Sequence, residues 1–332
     1  MSALLEIDDL TVDFAAGPRV AHAVRGVSLT VEAGRTTVVL GESGSGKSVT
    51  ARTVMGLVGG RATIRGSVRF DGTDLLALDE RAMRDLRGRD IGLVPQDPNG
   101  SLDPLRRVGA QIGEVLRAHR AVASRAARRD RVEELLTHAG ITDPARVARC
   151  YPHELSGGMR QRVAIAAAVA CGPRLLIADE PTTALDMTVQ ARILDLFGRL
   201  QRELDMAILL VTHDVGVARQ MGSSVVVMYA GRVVEQGPAR RVIDRPAHPY
   251  TAALLGAQPR PGIPRGELVA LPGLPPSATT TIEDRCALVP RCAHSVAACS
   301  AALPRLGPVA DGGSSACPVP WADAPATERS PG

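Results

Sequence analysis

The chain has 332 residues, a net charge of +4 and 45% apolar content, with only three Phe, three Tyr and one Trp. That length suffices for a catalytic domain with a smaller second unit, whose core must be built from Val, Leu, Ile and Ala. Basic and acidic residues are interspersed along most of the chain, a balance that does not demand a nucleic-acid partner, and the longest apolar runs, such as "MAILLV", are strand-sized, which excludes a bilayer-spanning helix.

The start, "MSALLEIDDL", lacks the basic, apolar and cleavage regions of a secretory signal, so a soluble cytoplasmic chain is expected. Short β segments come first: "LLEIDDLTVDF", "GVSLTVEAG" and "RTTVVL". The last is rich in β-branched residues and reads as a buried strand. It runs into "GESGSGKS", Gly41 to Ser48, and a helical pattern follows to about Leu57. This spacing is that of a phosphate-binding loop. Gly41, Gly44 and Gly46 let the backbone around Glu42, Ser43 and Ser45 wrap a polyphosphate. Lys47 reaches its β- and γ-phosphates, and the Ser48 hydroxyl ligates Mg²⁺. The flanking strand and helix separate the motif from a chance Gly/Ser-rich turn.

A strand-like "IGLVPQ" ends at Gln96, and between about 100 and 170 the pattern turns helical. The basic run "RAARRDR" is followed closely by Glu133 and Glu134 and contains Asp130, so it reads as a solvated helix face. In "ELSGGMRQRVAIAAAVA", Ser156 caps a helix whose first residues, Gly157 and Gly158, permit close approach to an anion; an ordinary capped helix is the alternative. "RLLIADEPTTALD" is a buried strand that delivers Asp179 and Glu180 at its end. Asp179 suits an Mg²⁺ shell, and Glu180 suits a general base that polarises water; a helix-capping pair is the alternative. A helix from about Thr188, a strand "AILLVT", a short helix and "SVVVMYAGRVVEQG" complete an alternating α/β order, which means a largely parallel sheet.

After about Arg241 the chain becomes Pro- and Gly-rich, a linker into a small C-terminal unit, and its last dozen residues read as disordered. Cys286, Cys292, Cys299 and Cys317 lie there, separated by five, six and seventeen residues without a CxxC knuckle. Clustered cysteines in a reducing compartment point to metal or redox chemistry. A structural [4Fe–4S] cluster on the four thiolates is expected, with a Zn²⁺ site or four free thiols as alternatives. Cys150 and Cys171 read as small core fillers.

"LSGGMRQR", ahead of "LLIADEPTTALD" and well after "GESGSGKS", resembles the signature of the ATP-binding cassette ATPases over roughly residues 4 to 240. The resemblance implies a P-loop ATP-binding cassette with a RecA-like core, an antiparallel β subdomain and a helical signature subdomain. The cassette would span residues 1–240, with its helical insert at about 97–170, and a loop-rich extension would follow at 241–332. It also implies a head-to-tail dimer in which Ser156, Gly157, Gly158 and Asp186 act in trans on ATP held by the phosphate loop of the other subunit. Gln96 resembles the Q-loop glutamine that contacts Mg²⁺ and water, and His213 in "LLVTHD" resembles the switch histidine. Phe14 resembles the aromatic that stacks on adenine, a buried strand Phe being the alternative. Met159 stands where the signature usually has Gln, a variation common in the peptide-importer branch.

One cassette without a heptad insertion favours a transporter subunit over a soluble cassette ATPase acting on DNA or ribosomes. "RPAHPYTAALLGAQP", "LPGLPP" and the spaced cysteines resemble the C-terminal region of oligopeptide/dipeptide importer ATPases, a branch whose relatives also move nickel. The resemblance implies ATP hydrolysis coupled to uptake of di- or oligopeptides, with nickel or another small solute as the alternative. Its implied partners are a second cassette subunit in a heterodimer, two permease subunits and an extracellular binding protein, with no nucleic acid. The implied location is the cytoplasmic face of the cell membrane, as a peripheral subunit.

Overall fold

The apolar runs become strands covered on both faces. Ile91–Val94, Leu175–Asp179 and Ala207–Thr212 lie side by side in parallel, with Leu175 opposite both Ile91 and Ala207. Every residue of the latter two strands is buried, as a parallel sheet flanked by helices requires. The computed structural model describes residues 2–183, 185–257, 271–282 and 284–319. Within it these strands belong to a unit built mainly from Phe70–Val211 with Val31–Thr36. The same unit holds the helices Val108–Ala118, Arg125–His138 and Gly157–Ala168, which pack on one another, and the long helix Met187–Leu204. Arg125–His138 buries Val132, Leu135 and Leu136, while Arg129 pairs with Glu133 and Arg131 with Glu134. Its basic run is thus a solvated face neutralised along the helix.

The second unit comprises Leu5–Thr30, Thr37–Arg69 and the chain from Thr212 onward. Strand Thr36–Leu40 runs parallel to Ser224–Tyr229, with Val38 beside Val225. Arg232–Pro238 returns antiparallel through a turn in which Ala230 and Gly231 take φ of 49° and 82°, the left-handed pair a tight hairpin needs. Ala3–Ala16 and Arg19–Glu32, joined by two residues, form a hairpin flanked by Ala62–Phe70.

The C-terminal tail is stitched into this unit. Ser314–Ser315 pairs with Glu235 and Gln236 of Arg232–Pro238, and the Ala316 amide donates to the Val234 carbonyl at 2.8 Å. Arg25 donates to the carbonyls of Ala278 at 3.1 Å and Thr280 at 2.7 Å, and the His22 amide donates to Ala278 at 2.8 Å. The linker expected after about Arg241 instead begins with the helices Ala239–Asp244 and Pro249–Gly256, and its residues 258–270, like the last dozen that read as disordered, lie outside the described residues.

A polar knot closes the turn after Arg232–Pro238. Glu235, with no solvent exposure, accepts from the Arg241 guanidinium and from the amides of Ala247 at 2.8 Å and His248 at 2.9 Å. His248 starts the helix Pro249–Gly256, its Nδ1 accepting from the Tyr250 amide at 3.1 Å, which needs the neutral ring. Burial pulls its pKa down to about 3. The unfolded chain takes up that proton below about pH 6.5, so stability is complete above that value and is lost as pH falls towards the folded value. At pH 4 the loss is on the order of 3 kcal/mol. Chemical denaturation between pH 7 and pH 4 should show a shallower decline in His248→Asn, which keeps an N-terminal cap without the titration. Equal slopes in the two proteins would remove His248 from the acid response.

Candidate nucleotide site

The phosphate loop is shaped by backbone proximity. A Cβ on Gly46, whose φ is 98°, would stand 2.5 Å from the Ala23 carbonyl oxygen, and one on Gly41 would stand 2.2 Å from that of Met228. Only glycine fits either position. Gly46 then precedes the helix Lys47–Val54, whose first amides carry no side-chain cap and so present donors to an anion. Ser43 and Gly44 are exposed, Glu42, Gly46 and Ser48 are half-buried, and Gly41, Ser45 and Lys47 are buried. The Lys47 ammonium donates to the carbonyls of Gly41 and Glu42, both at 2.8 Å, which holds its charge inside the loop. Phe14 is half-exposed on the first strand, so the buried alternative does not apply to it.

The carboxylate pair sits at the end of Leu175–Asp179. Asp179 is 2% exposed at the last strand position. Glu180 then turns into the left-handed region at φ 47°, its amide donating to the Val211 carbonyl at 2.9 Å. A non-glycine residue there is strained by roughly 1 kcal/mol. The turn projects a half-buried carboxylate whose Oε2 accepts from Gln96 Nε2 at 3.2 Å and from Thr183 Oγ1 at 3.0 Å. Gln96 and Glu180, 84 positions apart, therefore meet directly. Thr183 is a contributor that sequence reading passed over, although it stands in the "DEPTT" run. His213 is exposed just before the helix Val215–Met221, whose N-terminus Asp214 caps by accepting from the Gly216 amide at 2.7 Å.

The four residues expected to act in trans come together. Ser156, Gly157, Gly158 and Asp186 line one open cleft of about 430 Å³, with Arg162 and Arg192. Ser156 caps Gly157–Ala168 by accepting from the Met159 amide at 3.3 Å, and Asp186 caps Met187–Leu204 by accepting from the Val189 amide at 2.9 Å. A Cβ on Gly158 would meet Val189 Cγ1 at 2.9 Å, so the glycine also sets how closely those two helices pack. Burial, with Arg192 and Arg199 nearby, pulls the Arg162 guanidinium below its usual range. The cleft thus joins helix-start amides to two cations, a combination suited to phosphate. The arginines escaped the sequence reading because nothing in their spacing marks them.

Two expectations about the cysteines are corrected. Cys286, Cys292, Cys299 and Cys317 gather round a cavity of about 10 Å³, but among the described residues no group of three or more His, Cys, Asp or Glu is placed to hold a metal ion. Burial drives Cys286 and Cys292 towards the protonated thiol and pushes Cys317 up to about 11. With no such group placed, the [4Fe–4S] reading is withdrawn. Cys150 and Cys171, expected as core fillers, are only half-buried, Cys150 Sγ lying 3.4 Å from the Arg146 carbonyl.

Comparison with known proteins gives a consistent picture. The family profile described as "ABC transporter" matches residues 24–183, and the one described as "Oligopeptide/dipeptide transporter, C-terminal region" matches residues 234–299. A Brucella ovis protein with the provisional name peptide import ATP-binding protein is 47% identical over 96% of this chain and 97% of its own length. The dipeptide transport ATP-binding protein DppD of Escherichia coli is 43% identical over 97% of this chain and 98% of its own. Among solved structures, the dimeric bacterial ABC transporter cassette MJ0796 is 32% identical with a TM-score of 0.65, covering 71% of this chain and 99% of that one. The same cassette in a post-hydrolysis state with ADP and Pi matches equally, at 32% identity, a TM-score of 0.65 and the same 71% and 99% coverage.

Proposed function

The chain belongs to the oligopeptide/dipeptide branch of the ATP-binding cassette transporters, and on that premise we propose that it hydrolyses ATP to drive peptide uptake through partner permeases. It is an ATPase with the P-loop cassette fold. The observation that carries the reading is the contact between Glu180 and Gln96 at 3.2 Å, in a chain that also carries a phosphate loop and a signature cleft. Glu180 takes the proton of the attacking water, Gln96 orients its carboxylate, and Lys47 neutralises the phosphates. Mg²⁺, when bound, would supply positive charge against the phosphates. The Ser48 hydroxyl, the Asp179 carboxylate and the Gln96 amide are oxygen donors of the kind it favours. His213 contacts the γ-phosphate and Phe14 stacks on adenine.

The signature cleft serves the nucleotide of a second cassette subunit, a different chain in a heterodimer. Two permease subunits and an extracellular binding protein complete the importer, and this chain lies against the cytoplasmic face of the membrane as a peripheral subunit. None of its described helices is long and apolar enough to cross a bilayer. The cassette occupies residues 1–240, with its helical insert at about 97–170, and the extension follows at 241–332. Uptake of labelled di-, tri- and longer peptides in cells with and without the gene tests the reading. Uptake of at least one class is expected to collapse without the gene, and unchanged uptake of all of them would refute the peptide assignment.

A further inference from the structure

The geometry points to Arg291, in the C-terminal tail, as a positioning residue for ATP that neutralises the phosphate loop's own carboxylate, Glu42. The inference rests on the ATP-binding reading of that loop. Arg291 belongs to the short turn Val289–Arg291, 249 positions beyond Glu42, yet the two meet as a fork. Nη1 donates to Glu42 Oε2 at 3.1 Å and Nη2 donates to Oε1 at 3.4 Å. Arg291 is 7% exposed, and two further hydrogen bonds hold its guanidinium. Nε donates to the Pro272 carbonyl at 2.9 Å, and Nη1 also donates to the Tyr229 hydroxyl at 3.3 Å. Its carbon stands 5.7 Å from the centre of the Tyr229 ring.

Tail-side residues hold the backbone of Glu42 as well. Its amide donates at 2.9 Å to the hydroxyl of Tyr250, a fully buried residue whose ring lies 4.6 Å from that of Tyr229. Burial pushes both phenols above their usual range, so both remain neutral hydroxyls. Glu42 directly follows Gly41, and its carbonyl accepts from Lys47. The loop therefore carries a negative charge of its own where it must receive a polyanion. Arg291 cancels that charge, and the two-pronged pairing fixes the orientation of the carboxylate.

A purely structural role for Arg291 would make its loss equally harmful whatever occupies position 42. A charge-cancelling role makes the harm depend on Glu42. Calorimetric titration of the full chain with ATP and Mg²⁺ separates the two. Arg291→Met is expected to weaken ATP binding about tenfold, because an unpaired carboxylate then faces the phosphates. Adding Glu42→Gln in that background is expected to restore affinity to within about threefold, since the repulsion is gone. Arg291→Lys, which keeps the charge without the fork, should fall between and serves if the Met variant does not fold. Arg285→Met, at an exposed arginine of the same tail, should match the unmutated chain. Unmutated affinity in the Arg291 variants, or a loss that Glu42→Gln does not relieve, would overturn the inference. An unmutated chain that binds no ATP would instead overturn the nucleotide reading beneath it.

Discussion

Glu180→Gln is expected to lower steady-state ATP hydrolysis about a thousandfold while ATP remains bound, the size a positioned general base contributes. The substitution preserves length, so the strained turn at φ 47° and the contacts of the side chain with Gln96 and Thr183 can persist in rearranged form. Only the capacity to accept a proton from water is removed. The phosphate loop, with its buried Lys47 and helix-start amides, is untouched and should bind nucleotide as before. Phosphate release under multiple turnover, with nucleotide content measured after gel filtration, reads both halves of the expectation. A variant that turns over at the unmutated rate would remove Glu180 from the chemistry. A variant that neither hydrolyses nor retains ATP would point to a damaged loop instead.

Glu235→Ala should destabilise the second unit by about 4 kcal/mol, the cost of leaving a buried ion pair half-made. Three donors lose their acceptor at once: the Arg241 guanidinium, 8% exposed, and the amides of Ala247 and His248. The cationic one dominates, because its charge stays in the interior without a partner. A drop in melting temperature of about 10 °C is expected for a unit of this size. Glu235→Gln, which keeps one acceptor oxygen, should lose roughly half as much. Pairing Glu235→Leu with Arg241→Met removes both charges and is expected to recover most of the loss. Melting of Glu235→Ala within about 2 °C of the unmutated chain would show that the carboxylate is dispensable to the turn.

How much of this was readable before the fold was known follows from the distance over which each feature is encoded. The phosphate loop, the strand ending in Asp179 and Glu180, and the helix capped by Ser156 are each contained in about a dozen residues, where spacing carries the physics. That Gln96 reaches Glu180, and that Ser156 shares a cleft with Asp186, was legible only through a family resemblance, because folding rather than spacing brings those segments together. The Glu42–Arg291 fork and the Glu235 knot left no signal. A buried arginine or glutamate looks like any surface charge until its partner is known. The cysteines failed in a different way. Their count and clustering invited a metal, but a metal site depends on how the side chains are placed in three dimensions, and among the described residues these are not placed to hold one.

The tail's anchorage has a consequence for how far its influence reaches. Arg25 grips Ala278 and Thr280, Glu42 grips Arg291, and Glu235 and Gln236 pair with Ser314 and Ser315. In effect the tail is an intramolecular ligand of the unit that carries it, held at high local concentration because both belong to one chain. A change in the tail can therefore reach the phosphate loop through Arg291 and Glu42, although 249 positions separate them.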